Sequence, residues 1–280
     1  MENQQKSPLA VPASQGISWL MQSLALIRMQ AGRLLFIAVF LQVILGLTSI
    51  PVIGLLIIIS VPGFSAGILE AFDVTRRGGF PGINLLFRPL VSGTHTGRLV
   101  LMGLLVFVVG VVSISLLLSG SDNVLNPELL ARIEQGDVEA INQLDLEALR
   151  KLVMAFLVGL AISGTLSYFT IPLIWFGNRK LGTALAEGIR ALLINWKAFL
   201  VLTLGLIVSL IPVSLLTGLL LGLAGTGGLV SFIVMGLIMI LILAYQMLIF
   251  GTQYCAYRDV FGIDTVDEPP QQDSDGQFVA

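Results

Sequence analysis

Charge disappears from long stretches of this chain. No Asp, Glu, Lys, Arg or His occurs between Leu34 and Leu69, and four more apolar runs follow at about 98–119, 151–176, 197–222 and 229–255. A helix rises about 1.5 Å per residue, so about 20 apolar residues cross a bilayer core. The first run is long enough for nearly two crossings. Pro51 sits near its middle, where a proline stops a helix and a tight turn fits. The pattern therefore predicts six spans, at about 33–49, 52–73, 98–119, 151–176, 197–222 and 229–255. Ser119 to Asp122 end the third, Asn178, Arg179 and Lys180 close the fourth, and Ala224-Gly225-Thr226-Gly227-Gly228 is a turn between the last two.

Three other segments have helical periodicity without the length or apolarity to span. In 16–30, Ile17, Leu20, Met21, Leu24 and Ile27 share one face, away from Ser18, Gln22 and Arg28. In 181–194, Leu181, Leu185, Ile189, Leu192 and Leu193 lie opposite Glu187 and Arg190. Segment 79–97 is a weaker case, with Phe80, Ile83, Leu86 and Phe87 interrupted by Gly and Pro. Such helices are expected in the membrane interface. The order then reads three times as an amphipathic segment, basic residues and a hairpin of two spans: Arg28 and Arg33, Arg88 and Arg98, Arg190 and Lys197 precede the three hairpins. This pattern fits an internal threefold repeat, and it fits equally the plain need for cations wherever a helix enters the bilayer from inside. The predicted fold class is an all-α, polytopic transmembrane bundle of three hairpins with interfacial helices. It would occupy 16–262, between a disordered N-terminus (1–15) and a disordered acidic tail (263–280).

Composition agrees with the bilayer reading. Of 280 residues, 56% are hydrophobic and 11% charged, and mean hydropathy is +0.95. Soluble domains carry about 25% charged residues. A single cysteine, Cys255, excludes an internal disulfide, and with the single histidine, His95, it excludes a Cys- or His-rich metal centre. No cofactor is expected. Residues 1–16 are polar, and no cleavable secretory signal precedes the first span. A net charge of −2 without a basic stripe gives no reason to expect a nucleic-acid partner. Charge position is more telling than charge balance. If both termini lie in the cytoplasm, twelve Lys/Arg fall inside and three, Arg132, Arg150 and Lys151, fall outside. Cytoplasmic loops carry such an excess. The outer loop 120–150 is acidic, with helix starts expected at Asn126-Pro127-Glu128 and Asp145-Leu146-Glu147.

Candidate chemistry is sparse. The spans hold no clear charge at depth, which speaks against an ion-coupled pump or proton relay. Glu70 and Asp73 are the deepest acids, and with Arg77 they share a helix face. They are readable as a gate or headgroup contact at the inner mouth, or as a solvated helix end with local ion pairs. Pro62, Pro172 and Pro212 fall inside spans. Pro62 and Pro172 both occupy the second helix of a hairpin, where broken helices line transporter sites. Ser60, Ser65, Ser167, Tyr168 and Thr170 would line a small polar cavity there. The plainer reading is kinked packing. Gln42 and Gln246 are expected to hydrogen-bond between helices. Gly218 and Gly222 permit a close approach, within the monomer or between copies, so a homo-oligomer stays open. Cys255, His95 and Gly225–Gly227 carry no partner pattern for catalysis, metal binding or a phosphate loop.

Three stretches carry a likeness to a family. They are Val11–Pro12 leading into Ser18-Trp19-Leu20, then Tyr168-Phe169-Thr170-Ile171-Pro172-Leu173-Ile174-Trp175-Phe176 with Asn195–Trp196 after it, and Tyr254-Cys255-Ala256-Tyr257-Arg258-Asp259-Val260-Phe261. Across roughly 11–262 the chain resembles a family of uncharacterised proteobacterial six-helix inner-membrane proteins. More remotely, its plan is similar to the membrane domain beside some glycerophosphodiester phosphodiesterases. The catalytic domain of those enzymes is not in this sequence, so no phosphodiesterase activity carries over. The resemblance implies an inner-membrane location in a Gram-negative bacterium and supplies no catalytic residues. Two functions are expected from these observations. One is a non-enzymatic role in envelope maintenance, in which Arg88, Arg98, Arg190 and Lys197 contact anionic membrane lipids, with protein partners unknown. The other is a small-solute permease or transporter component built around Pro62 and Pro172.

Overall fold

The C-terminal turns of two long helices, Pro51–Arg76 and Gly228–Phe261, carry a cluster of polar residues and meet at one end of a bundle. A computed structural model describes residues 7–118, 132, 146–224 and 228–263. The described helices are α1 (Gln15–Met29), α2 (Ala31–Gly46), α3 (Pro51–Arg76), α4 (Asn84–Val91), α5 (Thr94–Leu118), α6 (Leu146–Trp175), α7 (Leu181–Ile194), α8 (Trp196–Ala224) and α9 (Gly228–Phe261). A 3-10 turn, Leu47–Ser49, follows α2. Six of these helices are long and apolar enough to cross a membrane, so the chain is a multi-pass, all-α membrane protein. Most of the acidic loop 120–150, including the helix start expected at Asn126, lies outside the described residues, as do 264–280. The start expected at Asp145–Glu147 coincides with the beginning of α6.

The helices outrun their apolar windows. α3 continues to Arg76 and α9 to Phe261, because a helix satisfies its own backbone and needs no lipid around its final turns. Pro51 occupies the first position of α3, where its missing N–H costs nothing. Pro62, Pro172 and Pro212 are contained within α3, α6 and α8.

The segments 16–30 and 181–194 form helices whose apolar residues divide between core and outer surface. α1 buries Gly16, Trp19, Ser23 and Leu26, while Ile17 and Met21 are exposed. α7 buries Ala184, Gly188 and Ala191 and exposes Ile189 and Leu193. The residues that α7 buries are all small, whereas α1 buries Trp19 and Leu26 beside Gly16 and Ser23. Of the apolar stripes, Leu20, Ile27, Leu181 and Leu192 pack against the core, and Ile17, Met21, Ile189 and Leu193 are exposed. Lipid solvates Leu and Ile as well as a protein core does, so close backbone approach rather than apolarity selects the packed face. α4 buries Leu85, Leu86 and Pro89 against α3.

Packing organises the units into a ring. Each short helix lies on the second helix of the preceding hairpin: α4 on α3, α7 on α6 and, closing the circle, α1 on α9. Glycines mark these contacts. A Cβ on Gly67 would overlap α4 at Leu85 and Leu86, one on Gly251 would overlap Ser23 of α1, and one on Gly188 would sit 3.3 Å from the Phe169 side chain. The second helices α3, α6 and α9 all touch one another and form the centre. α2, α5 and α8 lie outside them, and only 6% of the most apolar window of α8 is buried. Most of its surface is left for lipid.

Candidate functional site

The buried core is concentrated toward the C-terminal ends of α3, α6 and α9, and its polar residues come from the final turns. Asp73 of α3 accepts a hydrogen bond from the Tyr254 hydroxyl of α9 at 2.7 Å and pairs with Arg77 Nε at 2.9 Å. Arg76 Nη2 lies 3.8 Å from the same carboxylate, and Arg76 Nε donates to the Tyr254 oxygen at 3.0 Å. Tyr254 is 1% exposed and stacks against Phe72. The helical spacing expected for Glu70, Asp73 and Arg77 holds, but the two acids part company. Glu70 is buried and pairs with Arg88 of α4.

A cavity of about 300 Å³ opens beside Asp73, lined also by Arg77, Phe176, Tyr254, Tyr257 and Arg258. A second, of about 260 Å³, is an apolar groove between α1, α8 and α9, lined by Leu20, Leu24, Ile27, Val213 and Leu241. Neither is lined by Ser65 or Tyr168.

Two of the three in-helix prolines, Pro62 and Pro172, sit in packed surroundings, whereas Pro212 is exposed. Pro62, Ser65 and Pro172 are buried. The Tyr168 ring meets Phe169 at 5.0 Å and Phe199 at 5.2 Å, both edge to face. Pro172 has no N–H to give the carbonyl of Tyr168 four residues earlier. Gln253 of α9 supplies the missing donor, its Nε2 lying 2.7 Å from the Tyr168 oxygen.

Of the four cations expected on lipid, two make bonds within the protein. Arg88 holds Glu70, and Arg98 Nη1 donates to the Asn178 carbonyl, the Asn178 side chain and the Arg179 carbonyl at 2.8–3.1 Å. Asn178 has φ 50°, a left-handed turn that aims its carbonyl at α5. Arg190 and Lys197 are exposed. The Lys197 ammonium lies 5.8 Å from the ring of Trp196, itself 57% exposed.

Other polar residues at this end were not singled out from sequence. Asp259 accepts from Gln15 and from the Trp19 indole N–H, the latter at 2.8 Å. Asn195, 1% exposed, accepts from Val11 N–H at 2.8 Å and donates to the Leu9 carbonyl at 2.9 Å, and Leu9 N–H donates to Val260. Part of the N-terminus expected to be disordered is thus tied to α7 and α9. An extended segment needs backbone partners, and Asn offers a donor and an acceptor side by side. Polar residues terminating apolar helices were the available signal. Gln42 donates to Gln246 at 3.0 Å, as expected between helices. His95 lies edge-on to Trp175 at 5.4 Å. Cys255 is buried. Among the described residues no three His, Cys, Asp or Glu are grouped to hold a metal ion.

Compared with models of known protein families, with curated protein sequences and with solved structures, the chain has no significant match.

Proposed function

We propose that this chain is a non-enzymatic protein of a proteobacterial inner membrane, with both termini in the cytoplasm, that serves envelope maintenance by holding anionic lipid. The observation that carries this reading is the junction of α7 and α8. There Arg190, Lys197 and Trp196 are exposed together with Leu193, which is 70% exposed. Cations beside an aromatic ring and an exposed leucine match the boundary between headgroups and acyl chains. A permease built on Pro62 and Pro172 has less support, since Ser65 and Tyr168 are packed and Gln253 satisfies the Pro172 break.

Arg190 and Lys197 are the residues to test, because Arg88 and Arg98 also hold the fold. The double variant Arg190→Gln/Lys197→Gln should co-purify with less phosphatidylglycerol, at an unchanged melting temperature. Each charge near an anionic surface contributes about 1 kcal/mol, so a loss of roughly thirtyfold in lipid affinity is expected for the pair. Lipid content equal to wild type would overturn the reading.

A further inference from the structure

The larger cavity lies where the last turns of α3, α6 and α9 converge, at the hub of the ring. Its lining is unlike the remainder of the bundle. Phe176, Tyr254 and Tyr257 make an aromatic wall, with Phe176 stacked on Tyr257 at 5.7 Å. Among the described residues of the lining, the charged groups are Arg77, Arg258 and Asp73. The Arg77 side chain is 67% exposed, and Asp73 holds it by Nε alone. Its Nη1 and Nη2 bond to no described residue. Asp73 also accepts from Tyr254, so it orients the guanidinium while sharing its own charge.

We propose that this cavity binds a phosphate group, carried either by a lipid headgroup or by a small soluble phosphate. A guanidinium fixed at one edge presents its remaining N–H groups as a planar fork, the geometry that phosphate oxygens accept. The aromatic wall covers the less polar side of the ligand. A volume of about 300 Å³ is at the small end for ligand pockets and suits a headgroup better than a larger solute. Three helix C-termini meet here, and their dipoles disfavour an anion. That effect fades within the last turn, and several terminal carbonyls are already bonded: Asp73 accepts from Arg77 N–H, Pro172 from Phe176 N–H and Arg258 from Ile263 N–H. Direct guanidinium donors therefore dominate. The site is separate from Arg190 and Lys197, so it can stand or fall without the reading above.

The test is calorimetry on the full-length protein in neutral detergent, with two probes: inorganic phosphate, and short-chain phosphatidylglycerol in mixed micelles. At least one should bind wild type. Binding of inorganic phosphate assigns a soluble ligand, and binding of the lipid alone assigns a headgroup. In the Arg190→Gln/Lys197→Gln background, which removes lipid held at the α7–α8 junction, Arg77→Gln should weaken whichever probe binds by about tenfold, and Arg150→Gln, exposed near the opposite end of α6, should leave it unchanged. The proposal is overturned if neither probe binds, if Arg77→Gln leaves binding in that background unchanged, or if Arg150→Gln weakens it equally. Should Arg77→Gln fail to fold, wild type decides: a bound probe must raise its melting temperature, and no shift overturns the proposal.

Discussion

Pro172 shows what a single residue leaves unsaid. Its position reveals that the Tyr168 carbonyl loses its helical donor, but not what replaces it. A transport site, a water and a neighbouring helix are all compatible with that loss. The replacement is Gln253, 85 positions after Tyr168 in a different helix. Replacing Gln253 with Leu should therefore lower stability in detergent by about 1 kcal/mol, the cost of one unpaired buried carbonyl. In a Pro172→Ala background the same change should cost less, since Ala restores the N–H. Thermal unfolding of the four proteins in this cycle measures the coupling, and equal costs in both backgrounds would show that Gln253 does not serve the break.

Among the elements, span existence was legible and face assignment was not. Five apolar runs, the first divided at Pro51, translate into six helices, because a bilayer demands internally bonded segments of that length. Faces follow a different rule. The apolar stripe on α1 comprises Ile17, Leu20, Met21, Leu24 and Ile27. Leu20 and Ile27 pack against the core, Ile17 and Met21 are exposed, and the buried positions Gly16, Trp19 and Ser23 lie outside the stripe. Of the two readings of the Gly218–Gly222 spacing, contact within the monomer finds no partner among the described residues, for a Cβ at either position would meet nothing within 4 Å. The tight approach occurs instead at Gly103, where a Cβ would overlap the Ile59 carbonyl of α3. Gly103→Ala should push α5 from α3 and destabilise by about 1–3 kcal/mol. Gly218→Ala should fall within about 0.5 kcal/mol of wild type. Chemical or thermal unfolding in one detergent compares them directly, and a reversed order would refute this account of the α3–α5 contact.

At the scale of the whole molecule, the ring of short helices joins chain ends that the sequence separates. α1 closes on α9, Asp259 takes Trp19 and Gln15, and Asn195 grips the segment at Leu9 and Val11. The repeat, which the spacing of cations left ambiguous, gains support because all three short helices dock in the same relation to the preceding hairpin. Sidedness remains a property of the charge pattern. Cys255 would be a natural reporter, but it is 2% exposed and inaccessible from either side. Exposed positions serve better. In a Cys255→Ala background, Arg132→Cys should react with a membrane-impermeant maleimide in intact cells, and Lys180→Cys only after the inner membrane is opened. The opposite labelling would reverse the proposed orientation.

By itself, the sequence determined the number and type of spans, because bilayer thickness and backbone hydrogen bonding convert apolar run length into helices with no reference to neighbours. Its Lys/Arg asymmetry likewise carried the expected orientation. Only tertiary structure decided which faces touch, which cations are spent inside the protein, and that Asp73, Arg77, Tyr254, Tyr257 and Arg258 share a cavity. In an apolar solvent the hydrophobic pattern no longer separates inside from outside. Contact is then set by side-chain size and by polar groups finding partners far away in the chain, and neither can be read from local periodicity.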